Sequence, residues 1–156
     1  MTAPPPGRID TADARARLDR ALDDHEQAFE RFFLARFLDL GFAYLPGTAP
    51  DADKTACRVT CPVTDMVRNP QGMLHGGVIC SVMDISMGHL VAKVAGPGAT
   101  IEMKVQFMRP VAEGTVTAEG RFTRRGRSLS FMESRLWDHG GALVAHATAT
   151  WKMPGP

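Results

Sequence analysis

Cysteine is scarce, with only Cys57, Cys61 and Cys80 in 156 residues. The number is odd, Cys57 and Cys61 are four apart, and no second pair follows at zinc-finger spacing. Neither a disulfide framework nor a zinc finger is supported, and reduced, partly buried thiols are expected. Charge of one sign is not in excess: 18 Lys and Arg face 17 Asp and Glu, a formal net charge of +1. That gives no global electrostatic case for nucleic acid or an anionic membrane as partner, although a local basic patch stays open. No run approaches the roughly 20 apolar residues of a membrane helix. The Pro-rich residues 1–7 lack the apolar stretch of a signal peptide, so a cytoplasmic protein without a membrane partner is expected. No Gly-x-Ser-x-Gly elbow occurs, which argues against a serine hydrolase. His25, His139 and His146 show no metal-ligand arrangement, and no metal is expected.

What is present suits one ordinary globular domain, 44% hydrophobic and 22% charged. Residues 1–8 read as a disordered leader. Residues 9–45 read as an N-terminal helical extension, and residues 46–156 as the main domain. Leu18, Leu22, Phe29, Phe33, Phe37 and Leu40 recur at threes and fours or their sums, the pattern of one long amphipathic helix or of two with a break. Asp10 or Thr11 caps its start and Gly41 ends it. A Gly-, Pro- and Asp-rich loop follows over residues 46–53. Residues 55–63 form a strand candidate. Helical periodicity returns from Gly76, with Val78, Val82, Ile85 and Ala92 on one face, and Gly96-Pro97-Gly98 stops it.

The last third is strand after strand. Ile101, Met103, Val105 and Phe107 alternate with polar residues, then Val116, Ala118 and Phe122 do the same. Residues 129–137 and 142–152 complete the set, joined by turns at Glu113-Gly114, Arg125-Gly126 and Gly140-Gly141. The class is α+β. An antiparallel sheet with one apolar face leaves the second helix a single place to pack, so the sheet is expected to curl around it.

Two features of the second helix point to chemistry. It opens with Leu74-His75-Gly76-Gly77, and two glycines there make sense where something approaches the backbone closely. Free N–H groups at a helix start suit an oxygen that gains negative charge. A tight turn without a ligand is the plainer alternative. Asp84 lies in the middle of the apolar helix, where burial without a partner is costly. Partial burial raises a carboxylate's pKa and suits a base or nucleophile; a solvated or interface Asp is the alternative. Gly76 and Asp84 are eight residues apart, about 12 Å along one helix. If both serve one reaction they must come from different subunits, as antiparallel helices in a two-fold dimer would allow.

The run Asn69-Pro70-Gln71-Gly72-Met73-Leu74-His75-Gly76-Gly77, with Asp84 nine residues after the His, resembles hotdog-fold thioesterases of the phenylacetyl-CoA (PaaI-like) group. The likeness continues through Thr100-Ile101-Glu102-Met103, Phe107-Met108-Arg109-Pro110, Arg125-Gly126-Arg127-Ser128 and Gly141-Ala142-Leu143-Val144-Ala145. It covers roughly residues 55–152. The resemblance implies a hotdog fold, a curved antiparallel sheet wrapped around a central helix, here with a long N-terminal helix added. It implies hydrolysis of an acyl-CoA thioester by a homodimer or a dimer-of-dimers tetramer, with coenzyme A as part of the substrate and no separate cofactor. By the same likeness Asp84 activates water or attacks the thioester, and the Gly76 N–H holds the oxyanion. Asn69 bonds the thioester or orients the water, His75 shapes the loop and contacts the thioester, and Thr100 helps place the water. Gly77 belongs to the substrate-binding turn. Arg124, Arg125, Gly126 and Arg127 are either a solvated basic turn or a clamp on coenzyme A phosphates, the reading the likeness favours.

Two rivals stay open. Asp84 and His89 are five apart, a spacing that hotdog enoyl-thioester hydratases also use, but the Gly before the Asp and the Asn-Pro between the pair are absent. A non-catalytic acyl-CoA-binding module is the other, since fold alone does not exclude it.

Overall fold

The computed structural model describes residues 9–47 and 55–155; the proposed leader over residues 1–8 and most of the loop over 46–53 lie outside them. The elements are α1 (Thr11–Asp24), α2 (Phe33–Phe37), β1 (Gly41–Leu45), β2 (Ala56–Pro62), α3 (Gly76–Ala95), β3 (Ala99–Phe107), β4 (Thr115–Arg124), β5 (Leu129–Trp137) and β6 (Leu143–Lys152), with a short 3-10 turn at Asp65–Val67. All six strands join one antiparallel sheet in the order β1-β2-β4-β5-β6-β3.

The expectation of a sheet curled around the helix is corrected. The order ends at β1 on one side and β3 on the other, and these strands do not pair, so the sheet is open. α3 lies on one face, against β2, β3, β4 and β5. The cause is side-chain size on that face. A Cβ on Gly120 would sit 2.6 Å from the Ser86 carbonyl, and the buried Ala118, Ala145, Ala147 and Ala149 are small as well. The helix therefore comes down onto the strands, and no curl is needed to cover it. Met83, Met87, Leu90, Met132 and Leu136 fill the space between them; each such burial contributes about 1.5–3 kcal/mol. Ser86, buried at the same contact, meets Ser134 Oγ at 2.9 Å and donates to the Met83 carbonyl, so no hydroxyl is left unpaired there.

Other readings at the N-terminus and in α3 are settled by the structure as well. Of one long N-terminal helix or two with a break, the structure has the second: α1, capped by Asp10 through the Ala12 N–H at 2.8 Å, and the single turn α2, separated by an irregular stretch. Gly41 ends no helix but begins β1, which pairs with β2 from Gly41–Thr60 to Leu45–Ala56. α3 also meets the length and composition of a membrane-spanning helix, contrary to the reading that no such run exists. Eight of its 20 residues are buried within the chain.

The opposite face of the sheet is polar. Glu119, nearly buried, accepts from Arg58 Nε and Arg121 Nε, each at 2.6 Å. Burial pushes its carboxyl up, but the two guanidiniums outweigh burial and hold it below the usual range. Cys57, Cys61 and Cys80 are free; burial pushes the Cys57 thiol up to about 12 and the Cys61 thiol to about 11.

Candidate active site

The approach to α3 is fixed by its own side chains. Asn69 Oδ1 accepts from the backbone N–H of Gln71 at 2.9 Å and Met73 at 3.1 Å, which closes the turn before the helix. Its carbonyl oxygen is thus used within the loop rather than offered to a ligand. The His75 N–H donates to the Val67 carbonyl at 2.8 Å, which ties this turn to the core. His75 is the N-cap of α3, and its Nδ1 accepts the Gly77 N–H at 2.9 Å. Gly77 therefore spends its donor on His75. The Gly76 N–H makes no hydrogen bond among the described residues and remains a free donor at the positive end of the helix. A Cβ on Gly76 would lie 3.5 Å from the Phe107 ring, so Phe107 flanks this donor.

Asp84 lies two turns further along. Thr100 Oγ1 donates to Asp84 Oδ1 at 2.8 Å. A β-bulge makes this contact. Strict alternation puts Ile101 on the helix side of β3 with Met103 and Val105, but the register shifts between Thr100 and Glu102. Thr100 turns toward α3 opposite Trp151, while Ile101 is 55% exposed. Burial raises the Asp84 pKa above the usual aspartate range, and the Thr100 hydrogen bond opposes the rise. Removing that bond with Thr100→Ala should move the acid limb of the pH–rate profile to higher pH and lower the plateau. A limb that stays put or moves down would count against the contact.

Asp84 opens onto a cleft of about 370 Å³ lined by Phe29, Phe32, Ile85, Gly88, His89 and Trp151 among others. His89 is held by its neighbours: Phe42 stacks on the ring at 4.5 Å between centroids, and the Tyr44 hydroxyl lies 3.4 Å from Nδ1. Burial lowers its pKa, with a smaller opposing effect from Glu30. Sequence reasoning missed Phe29, Phe32 and Trp151 as site residues. His89 carried a signal, its spacing from Asp84, though one that pointed to a rival reading.

The structure brings Asp84 and Thr100 together but leaves Gly76 at the other end of two helical turns, about 12 Å away along the axis. The basic turn lies elsewhere again. Arg125 donates to the Val94 carbonyl at 3.0 Å, docking the β4–β5 turn at the C-terminal end of α3. Gly126 exchanges bonds with Ser130 Oγ. Arg124 and Arg127 are exposed.

A helix start with a free amide, a half-buried carboxylate on the same helix and an antiparallel sheet beneath them are the site's elements, set in an α+β domain. The Thioesterase superfamily matches residues 71–145. A putative esterase of Saccharolobus solfataricus is 30% identical over 132 residues, 83% of this chain and 93% of that protein. A Bacillus halodurans protein solved with CoA superposes with a TM-score of 0.79 at 18% identity, covering 96% of this chain and 97% of that one. The PaaI protein of Escherichia coli, from the phenylacetic acid degradation operon, gives 0.72 at 18% identity over 89% of this chain and 96% of its own. The chain belongs to the hotdog-fold thioesterase superfamily.

Proposed function

We propose that this chain hydrolyses an acyl-CoA thioester to the free acid and coenzyme A, using Asp84 from one subunit and the Gly76 N–H from another. The observation that carries the reading is Asp84 itself, half-buried on an apolar helix, shifted toward neutral pH and aligned by Thr100. Thr100 engages one carboxylate oxygen and so presents the other. As a base, Asp84 takes a proton from water, and the hydroxide adds to the thioester carbon. The Gly76 N–H holds the resulting oxyanion. The C–S bond then breaks, and Asp84 returns the proton to the departing thiolate. Direct attack by the carboxylate uses the same groups.

The shared site requires a second copy, and β3 supports one. Among the described residues its outer edge is unpaired, and Ile101, Phe107 and Met108 along it are exposed. Antiparallel self-pairing centred on Met103 sets Glu102 opposite Lys104 of the second copy. It also sets Thr100 opposite Gln106, beside the Phe107 that flanks Gly76. Asp84 of each chain then approaches Gly76 of the other, giving two equivalent sites.

The exposed Arg124 and Arg127 supply cations for coenzyme A phosphates, while Arg125 secures the turn to α3. Arg127→Ala should raise KM for a full-length CoA thioester several-fold with little change in kcat, and leave a thioester lacking the nucleotide unaffected. An unchanged KM would remove Arg127 from the clamp.

A panel of acyl-CoA esters assayed for released thiol tests the activity. Loss of the double bond of a crotonyl thioester without thiol release would make the protein a hydratase instead, and tight binding with neither change would make it a binding module.

A further inference from the structure

The outer wall of the cleft beside Asp84 lies outside the stretch that the family match covers, residues 71–145. It comes from residues 27–32, between α1 and α2. These residues form a tight turn with bonds of its own. The Glu26 N–H donates to the Arg31 carbonyl at 2.8 Å, and the Arg31 N–H to the Ala28 carbonyl at 3.2 Å. The Arg31 guanidinium grips Glu26 at 2.8 Å and reaches the Asp24 carbonyl at 3.2 Å. Glu30 sits at φ 76°, a conformation that a bulky residue adopts only where its surroundings impose it. The result lowers two rings onto His89, Phe29 at 5.1 Å edge-on and Phe32 at 5.9 Å between centroids.

The cleft thus runs from a carboxylate at Asp84 to a fixed aromatic cluster at His89, five residues and about 7.5 Å along the helix. Its volume, about 370 Å³, is near the lower end of the roughly 300–1,000 Å³ usual for small-molecule sites. The floor is closely packed, since a Cβ on Gly88 would already lie 2.7 Å from Trp151. Phe29, Phe32, Trp151 and the His89 ring dominate the lining, and among the described residues it carries no Lys or Arg, with Asp84 its one carboxylate. It suits an uncharged tail far better than a nucleotide or its phosphates.

We infer that this cleft takes the acyl group and that Phe29 and Phe32, supplied by the N-terminal segment, form the wall that selects short or compact acyl groups over long straight chains. The inference rests on the thioester reading above for its substrate, but not for its geometry. Phe29 is the residue to change, since it is 52% exposed and its removal leaves the core intact. The rate constant kcat/KM is measured across straight-chain CoA thioesters from acetyl to dodecanoyl, for the native protein, Phe29→Ala and Phe29→Trp. Calorimetric affinities for the same series are taken in an Asp84→Asn background. The native profile should fall off beyond the medium chains. Phe29→Ala should raise the decanoyl-to-butanoyl ratio by about tenfold or more, and Phe29→Trp should lower it. Profiles that coincide in all three proteins overturn the wall. Absence of thiol release from every thioester sinks the hydrolase reading alone, because affinities that still shift with Phe29 uphold the wall, and affinities blind to it overturn it.

Discussion

Asp84→Ala should cut turnover by about 10²–10⁴-fold, the range for loss of a positioned acid–base group, while substrate affinity measured by calorimetry changes little. The helix tolerates alanine at that position, and the Thr100 hydroxyl left behind lies near an open cleft where water can satisfy it. Asp84→Asn keeps the volume and the contact with Thr100 but cannot take a proton, so it should be nearly as slow. Folding is followed in parallel by thermal unfolding. Near-normal kcat in a folded Asp84→Ala protein would remove the carboxylate from the chemistry and leave the site to binding alone.

The second large effect is expected from mixing two inactive proteins. Gly76 is the first residue of α3, a position where proline is welcome because its φ suits the helix and the N–H is not part of the helical ladder. His75, with φ −65° and ψ 133°, already has the extended conformation that a following proline requires. Gly76→Pro therefore deletes one amide hydrogen with little disturbance, and should cost about 10²–10³-fold in kcat, as for other oxyanion donors. Alone, Gly76→Pro and Asp84→Ala should both be poor enzymes. Dissociated, mixed in equal amounts and reassociated, a dimer with the proposed shared sites should form mixed pairs in half the cases, each with one intact site of two. Activity should return to about a quarter of the native value. No recovery, in a mixture shown by mass spectrometry to contain mixed dimers, would mean that the amide and the carboxylate do not meet across subunits.

Much of the frame was legible because its signals are local. The start of α3 is written in His75, Gly76 and Gly77 and its end in Gly96-Pro97-Gly98, while β5 alternates cleanly over its full length. β1 was not legible. Gly41 follows an apolar periodic run and reads as a helix stop, and only pairing with β2 makes a strand of Phe42, Ala43 and Tyr44. The break between α1 and α2 has no glycine or proline to announce it; packing of Phe29 and Phe32 on His89 imposes it from a distance of 57 residues or more in the chain. That the sheet stays open was equally hidden, because it depends on how many small residues share the helix-facing side once the register is set. Within the site, the helix positions of Gly76 and Asp84 and the gap between them followed from spacing alone. That Thr100 and not Ile101 faces Asp84 did not, since a bulge reverses the alternation that the sequence displays. The employment of Asn69 Oδ1 and Arg125 inside the fold also depends on partners that no motif names.

The spatial order of the strands bears on how the chain is made. α3 is complete at Ala95, yet of the strands it rests on only β2 precedes it; β3, β4 and β5 follow, the last ending at Trp137. During synthesis the most apolar helix of the protein emerges before most of its resting place exists. The part of α3 that rests on β4 stays uncovered until β4 inserts beside β2, a pairing that spans the whole of α3 and β3. Such distant closure is slow and leaves a sticky intermediate. A released fragment ending before Thr115 would therefore be prone to clump or to be held by a chaperone, whereas one reaching past Trp137 has the strands to bury its helix.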